Sequence, residues 1–237
     1  MTNYQNVFIE ANIGGGKSTI AKKLMQEVSN GLNYNNDLVN NKKTLILLEP
    51  VNEWLEMKDS NNKNILEHYY EDSKKYSFPF QMNSFISRCK KLIDNTKKHK
   101  QLNVYNNGPV IMERSVYSDY YCFAKNCFEN GSMTEIEYNI YTHWFDWLVE
   151  SFSINSSGYI YIRTDPQICY ERIKKRARNA EGIIPLKYLI QLHNKHEDWL
   201  LSLPKEQVLI LDGNKDFESN ETIFNDYINQ IREFLLK

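Results

Sequence analysis

Ala11-Asn12-Ile13-Gly14-Gly15-Gly16-Lys17-Ser18-Thr19 fits the phosphate-loop pattern GxxxxGK[ST] at every position but the first. In such a loop the glycines let consecutive backbone N–H groups curl around phosphate oxygens, and the following helix adds the positive end of its dipole. Lys17 is placed to reach the β- and γ-phosphates of a triphosphate, and the Ser18 hydroxyl to bind Mg²⁺. Asn12, Ile13 and Thr19 complete the cradle. Ala11 stands where the pattern has glycine, and its methyl strains the first turn if that position needs φ > 0. The plain alternative is a Gly-rich turn carrying a chance Lys-Ser, but a strand before and a helix after argue against it. By itself the loop implies nucleotide binding and does not choose between kinase, ATPase and GTPase. A GTPase reads guanine with an NKxD segment. Asn214-Lys215-Asp216-Phe217 lacks the final Asp, and Asn194-Lys195-His196-Glu197 fails too, inside a predicted helix.

A kinase acting on a hydroxyl needs a group that orients or deprotonates it. Glu49 follows the apolar run Thr44 to Leu48 and is itself followed by Pro50. A solvated carboxylate at a strand end is the bland reading of the same position. Glu113-Arg114 closes a second apolar run, and a carboxylate–guanidinium pair there suits metal holding and charge stabilisation, or else only a local ion pair. Arg172, Arg176 and Arg178 recur in Arg172-Ile173-Lys174-Lys175-Arg176-Ala177-Arg178. Arg172 and Arg176 are one helical turn apart and share a face. Guanidinium forks clamp phosphoryl oxygens bidentately. Without the phosphate loop upstream, a solvated basic helix face would be the better account.

These groups need a frame that brings them together. Short apolar runs at Val7 to Ile9, Thr44 to Leu48, Val110 to Met112, Tyr159 to Ile162 and Val208 to Leu211 read as five strands. Helical patterns run from Lys17 to Val28, about Asn64 to Tyr76, and about Phe78 to Lys98. Others cover Tyr117 to Asn126, Glu135 to Ser151, Pro166 to about Ala177, Pro185 to about Leu203, and about Glu221 to Leu236. Residues Asn33 to Lys43 are polar and read as a surface loop. Strands alternating with helices predict an α/β fold with a five-stranded parallel sheet flanked by helices. Ligands in such sheets sit beyond the C-terminal strand ends, where Glu10 to Lys17, Glu49 and Glu113-Arg114 fall.

The 237 residues are 41% hydrophobic and 25% charged, ordinary globular values, so one domain spanning 1–237 is the default. A formal net charge of -1 gives no reason to expect a nucleic-acid polymer or an anionic membrane as partner, so cations used on phosphates must be concentrated locally. No apolar run spans a bilayer, and Met1 to Glu10 lacks the pattern of a secretory signal. Four cysteines without a CxxC pair fit reduced thiols in a cytoplasmic protein.

A resemblance sharpens this reading. Glu49-Pro50-Val51 with Trp54, Phe80-Gln81 with Ser87-Arg88, Glu113-Arg114-Ser115-Val116-Tyr117-Ser118-Asp119, and Arg172 to Arg178 are together similar to the deoxynucleoside kinase family. The similarity runs from the phosphate loop through about Leu200, and the motifs in this order are highly specific. It implies a P-loop NTPase fold in which residues from about 172 to 184 form an arginine-rich helical lid over ATP. It implies Glu49 as general base for the 5′-hydroxyl, Arg114 beside it, and Glu113 as an aid to holding Mg²⁺. Gln81 would hydrogen-bond the nucleobase edge, with Trp54, Phe80 and Phe123 lining the base. Tyr70 and Glu181 would hold the sugar 3′-hydroxyl. Arg88 and Asp119 match positions that discriminate bases: purine- and cytidine-accepting members carry such a pair, and thymidine-preferring members carry apolar residues. The segment Ser84 to Arg88 looks more like deoxyguanosine kinases than deoxycytidine kinases, which favours deoxyguanosine or deoxyadenosine, with deoxycytidine next. A purely structural Arg88–Asp119 bridge is the competing account.

The resemblance also places the helix from Glu135, with Trp144 and Trp147, in a homodimer interface with the helix after Phe78. Core packing within one subunit is the alternative. His193 and His196 lie near one helical turn apart, without a further ligand cluster, and a packed or capping role suits them. A nucleoside monophosphate kinase of the thymidylate type shares fold and loop, but needs a cation for its acceptor phosphate where this chain has Glu49-Pro50-Val51-Asn52-Glu53. A non-catalytic nucleotide-binding module is the remaining class.

Overall fold

The five strands among the described residues are β1 (Asn6–Glu10), β2 (Leu45–Leu47), β3 (Val110–Glu113), β4 (Gly158–Arg163) and β5 (Val208–Asp212). The computed structural model describes residues 6–30, 44–102, 108–176, 182 and 184–236. All strand pairings are parallel, in the order β2-β3-β1-β4-β5. Parallel neighbours cannot be joined by tight turns, so the chain crosses over the sheet between strands. It leaves β1 toward one edge and later passes to the other, so the loop after β1 lies where the order reverses.

Alternation along each strand builds two cores. Val7, Ile9, Ile160 and Ile162 face one side, where α1 (Lys17–Asn30) and α10 (Glu221–Leu235) contribute Ile20, Leu24, Phe224 and Ile231. Phe8, Met112, Tyr159 and Tyr161 face the other, against α4 (Ser73–Leu102), α7 (Glu135–Ser151) and α9 (Leu186–Leu200). The remaining helices are α2 (Val51–Glu56), α3 (Ile65–Glu71), α5 (Val116–Ser118), α6 (Lys125–Glu129) and α8 (Pro166–Arg176). No helix among the described residues is long and apolar enough to cross a membrane.

Three details depart from the expected pattern. The break expected between Tyr76 and Phe78 falls at Asp72, whose carboxylate accepts the Lys75 N–H at 3.2 Å. That bond caps the following helix, which then runs on through Pro79. α2 was not expected; it turns the chain directly after Glu49-Pro50. The helix expected over Tyr117 to Asn126 is π-helical from Asp119 to Ala124, between α5 and α6. Such segments concentrate at functional sites, and this one carries Asp119 and Phe123. Trp144 and Trp147 are 44% and 51% exposed, so they do not pack into their own subunit's core. The polar loop expected at Asn33 to Lys43 lies outside the described residues.

Candidate active site

Internal hydrogen bonds and close glycine packing hold the phosphate loop in shape. Gly14 and Gly16 have φ of +78° and +98°, and a Cβ on Gly16 would sit 2.4 Å from the Phe217 ring. Asn12 Nδ2 donates to Leu189 O at 2.8 Å, and the Ile13 N–H donates to Asn12 Oδ1 at 2.9 Å. The first bond ties the loop to α9 and the second fixes the Asn12 side chain within the loop. Thr164 Oγ1 donates to Gly15 O at 3.1 Å. Lys17 Nζ donates to Ala11 O and Asn12 O at 3.2 and 3.0 Å. Burial and Arg114 push the Lys17 ammonium down to about 8, against the pull of Glu49, Glu113 and Glu10. Ala11 is buried, and it is not among the described non-glycine residues with positive φ, which are Asn62, Arg114 and Ser153. The strain expected from its methyl is therefore absent.

Glu113, ending β3, ties the donor loop to the acceptor side. Its Oε1 accepts from Ser18 Oγ at 2.5 Å and its Oε2 from the Glu49 N–H at 3.2 Å. Glu49 Oε1 lies 3.1 Å from Arg88 Nη2 and 3.4 Å from Arg114 Nε. Burial pushes the Glu49 carboxyl up, but Arg88, Arg114 and Lys17 together outweigh it and hold the group below its ordinary value. Arg114 has φ +63°, an uncommon conformation for a bulky residue and a mark of a constrained site. Its guanidinium donates to Ala11 O at 3.2 Å and covers the Phe123 ring at 4.5 Å. The hydroxyl and carboxylate oxygens of Ser18 and Glu113 suit Mg²⁺, which takes few protein ligands and completes its shell with water and phosphate. No cluster of three or more His, Cys, Asp or Glu that could hold a metal alone occurs among the described residues.

A cavity of about 340 Å³ opens on Glu49. Trp54, Tyr70, Phe80, Gln81, Arg88, Arg114, Asp119 and Phe123 all line it, so the structure brings together every described residue expected on the acceptor side. Trp54 meets Phe80 edge-on at 5.6 Å, and its Nε1 donates to Ser87 Oγ at 2.9 Å. Arg88 grips Asp119 bidentately, Nε to Oδ2 at 2.7 Å and Nη2 to Oδ1 at 3.0 Å. Tyr188 also lines this cavity and escaped the sequence reading, and Tyr69, the immediate neighbour of Tyr70, lines it too. The Tyr69 hydroxyl lies 3.0 Å from that of Tyr188 and 3.5 Å from Cys127 Sγ, while Gln81 Nε2 lies 3.9 Å from the same sulfur.

A second cavity, about 560 Å³, lies between α8 and the loop after β5. Arg172, Lys175 and Arg176 line one wall, and Lys215 to Ser219 the other; Thr19 and Gly16 form its floor. The segment 215–219 was missed, having been weighed only as a failed guanine motif. Its place beyond the C-terminal end of a strand was the available signal. Gly14, Lys17, Ser18 and Arg176 line both cavities, so two ligands would meet at the phosphate loop. Arg178 and Glu181, expected in the lid, lie outside the described residues. His196 is fully buried, its Nδ1 2.7 Å from Leu192 O, and all four cysteines are buried and free.

The chain is similar to known proteins along nearly its whole length. Residues 7–236 match the family model described as "Deoxynucleoside kinase". Human deoxycytidine kinase is 33% identical, over 99% of this chain and 92% of its own length. A probable deoxycytidine kinase of Fowlpox virus (strain NVSL) is 32% identical, over 99% and 90%. The mitochondrial deoxyguanosine kinase of Xenopus laevis is 31% identical, over 96% and 88%.

Proposed function

The chain belongs to the deoxynucleoside kinase family, and from that premise we propose that it transfers the γ-phosphate of ATP to the 5′-hydroxyl of a deoxynucleoside, purines favoured and deoxycytidine accepted, in nucleotide salvage. The observation that carries the reading is the pair of cavities sharing Gly14, Lys17, Ser18 and Arg176, with Glu49 facing the smaller. Glu49 takes the 5′-proton. Lys17, Arg114 and the lid arginines Arg172, Arg176 and Arg178 carry the charge that develops on the phosphoryl group. Mg²⁺, held by Ser18 and Glu113, would neutralise donor phosphate charge. Gln81, Arg88 and Asp119 read the base, which lies among Trp54, Phe80 and Phe123. Tyr70 and Glu181 hold the 3′-hydroxyl. The donor base lies against Phe217 in the larger cavity.

The buried, charged Arg88–Asp119 pair disfavours thymine, whose methyl would face it without offering a hydrogen bond. A deoxycytidine preference is the second reading, favoured by the names of the human and fowlpox relatives. We read the whole chain as one kinase domain, cytoplasmic, and a homodimer. The exposed stripe Ile136, Ile140, Trp144 and Trp147 on α7 supports the dimer.

The test is acceptor-dependent ADP formation from Mg·ATP, with each of the four deoxynucleosides and dTMP supplied separately. Turnover with deoxyguanosine or deoxyadenosine above deoxycytidine, and little with thymidine, is expected. Turnover with thymidine alone would discard the base assignment, and with dTMP alone the acceptor class.

A further inference from the structure

Arg88 stands between two tasks. It is 1% exposed, one turn along α4 from Ser84, and it touches both Asp119, its expected partner in reading the base, and Glu49, the group expected to take the proton. Its Nη2 faces three acceptors: Asp119 Oδ1 at 3.0 Å, Ser84 Oγ at 3.1 Å and Glu49 Oε1 at 3.1 Å. A guanidinium Nη carries two protons, so three acceptors are more than it can serve at once. Its Nη1, equally furnished with protons, is buried and has no hydrogen-bond partner among the described residues. An orphaned donor on a buried cation is costly, and a ligand bringing acceptors would relieve it.

The three Nη2 contacts are not equally tied. Asp119 is held a second time through Nε at 2.7 Å, and Ser84 Oγ itself donates to Asp119 Oδ1 at 3.2 Å. The bond to Glu49 is the one that can be surrendered with the bidentate pair intact. Glu49 then keeps Arg114 Nε at 3.4 Å. Arg88, Asp119, Gln81 and Glu49 all line the same cavity, so the ligand that moves Arg88 is the one whose hydroxyl Glu49 serves.

We propose that Arg88 is a positioning residue that couples base recognition to catalysis: a nucleobase presenting hydrogen-bond acceptors draws its guanidinium off Glu49 Oε1 and frees that oxygen for the 5′-hydroxyl. The proposal rests on reading Glu49 as the proton acceptor and this cavity as the acceptor site. A guanine edge offers O6 and N7 side by side, whereas thymine offers O4 beside a methyl. Base identity then registers in kcat as well as in KM.

The test compares kcat and KM for deoxyguanosine and for 1,2-dideoxyribose, which keeps the 5′-hydroxyl and lacks a base. It uses the wild-type protein, Arg88→Lys, and the double variant Arg88→Met with Asp119→Ala. Lysine keeps a cation beside Asp119 without a fork that spans two carboxylates. The double variant removes both charges, so neither is left buried alone. The wild-type kcat for the baseless sugar is expected to fall at least about tenfold below that for deoxyguanosine, and the two values to converge in both variants. Equal wild-type kcat values, or variants that alter KM and leave the kcat ratio standing, would overturn the coupling while leaving the kinase reading intact. So would a crystal structure of the wild-type protein with deoxyguanosine in which Arg88 still bonds Glu49. A wild-type protein inactive on every deoxynucleoside would overturn the reading and the coupling together.

Discussion

The Cβ of Ala11 lies 2.7 Å from the place a Cβ on Gly15 would occupy, so the phosphate loop has room for a methyl at one of these positions and not both. Gly15→Ala should therefore destabilise the fold by about 1–3 kcal/mol, as overpacking does. Ala11→Gly alone should cost under about 1 kcal/mol, chiefly through backbone freedom. Combined, the two should recover part of the Gly15→Ala loss. Recovery is partial because the new Cβ still meets Asn12 O at 3.0 Å. Urea denaturation of the four proteins measures the coupling, expected at roughly 1 kcal/mol. An additive cycle would mean the loop relaxes around the methyl instead.

Glu49→Gln removes the carboxylate that faces Arg88 and Arg114 and withdraws one of the three that support the Lys17 charge, but it changes no residue lining the larger cavity. Turnover should drop about 10²- to 10⁴-fold, the usual worth of a positioned base. ATP affinity by calorimetry should change less than about threefold, since Glu113 and Glu10 still support Lys17 and the lining of the larger cavity is unchanged. Near wild-type turnover would remove Glu49 from its role.

Much of this layout was legible in the sequence because parallel strands covered on both faces read as unbroken apolar runs, such as Thr44 to Leu48 and Val110 to Met112. The glycines before Lys17-Ser18 and the carboxylates at strand ends were legible for the same reason: each stands where a run stops. The break at Asp72 was hidden because Tyr69, Tyr70 and Tyr76 carry an apolar face straight through it, and one capping carboxylate decides the matter. The π-helical segment has no local signature. The Arg88–Glu49 contact joins residues 39 apart in the chain, which spacing alone does not reveal. Phe217 meets Gly16 only after the sheet has formed.

Arg114 combines a left-handed backbone, φ +63°, with a guanidinium placed between Ala11 O, Glu49 and the Phe123 ring. Arg114→Ala keeps the backbone cost and loses the side chain, whereas Arg114→Gly loses the side chain and removes the cost. Both should lose turnover to a similar degree, and the glycine variant should be the more stable by about 1 kcal/mol. Thermal unfolding of the two variants side by side reads the difference. Equal stability would mean the turn is held without strain.

Trp144 and Trp147 stand on the exposed face of α7 with Ile136 and Ile140. Trp144→Glu with Trp147→Glu places charge in the middle of that stripe. Sedimentation should show dimer for the wild-type protein and monomer for this variant, with little change in the monomer's fold. A dimer that survives both charges would put the interface elsewhere.

His196 is buried against Tyr161 and Phe123 and near Arg114, Lys17 and His193, and burial drives its imidazole down to about 3. In the unfolded chain it takes a proton near 6.5. Between those values the unfolded state binds the extra proton, so stability falls as pH drops through this window, by up to about 1.4 kcal/mol per pH unit. At pH 5 the loss from this residue should approach about 2 kcal/mol. His196→Asn removes the ionisation and keeps a donor for Leu192 O, at the cost of some packing at every pH. The informative quantity is the difference between the two proteins in urea-derived stability at pH 7.5 and pH 5. It should shrink, or reverse, on acidification. A difference that stays constant across the window would mean that His196 takes up its proton without unfolding.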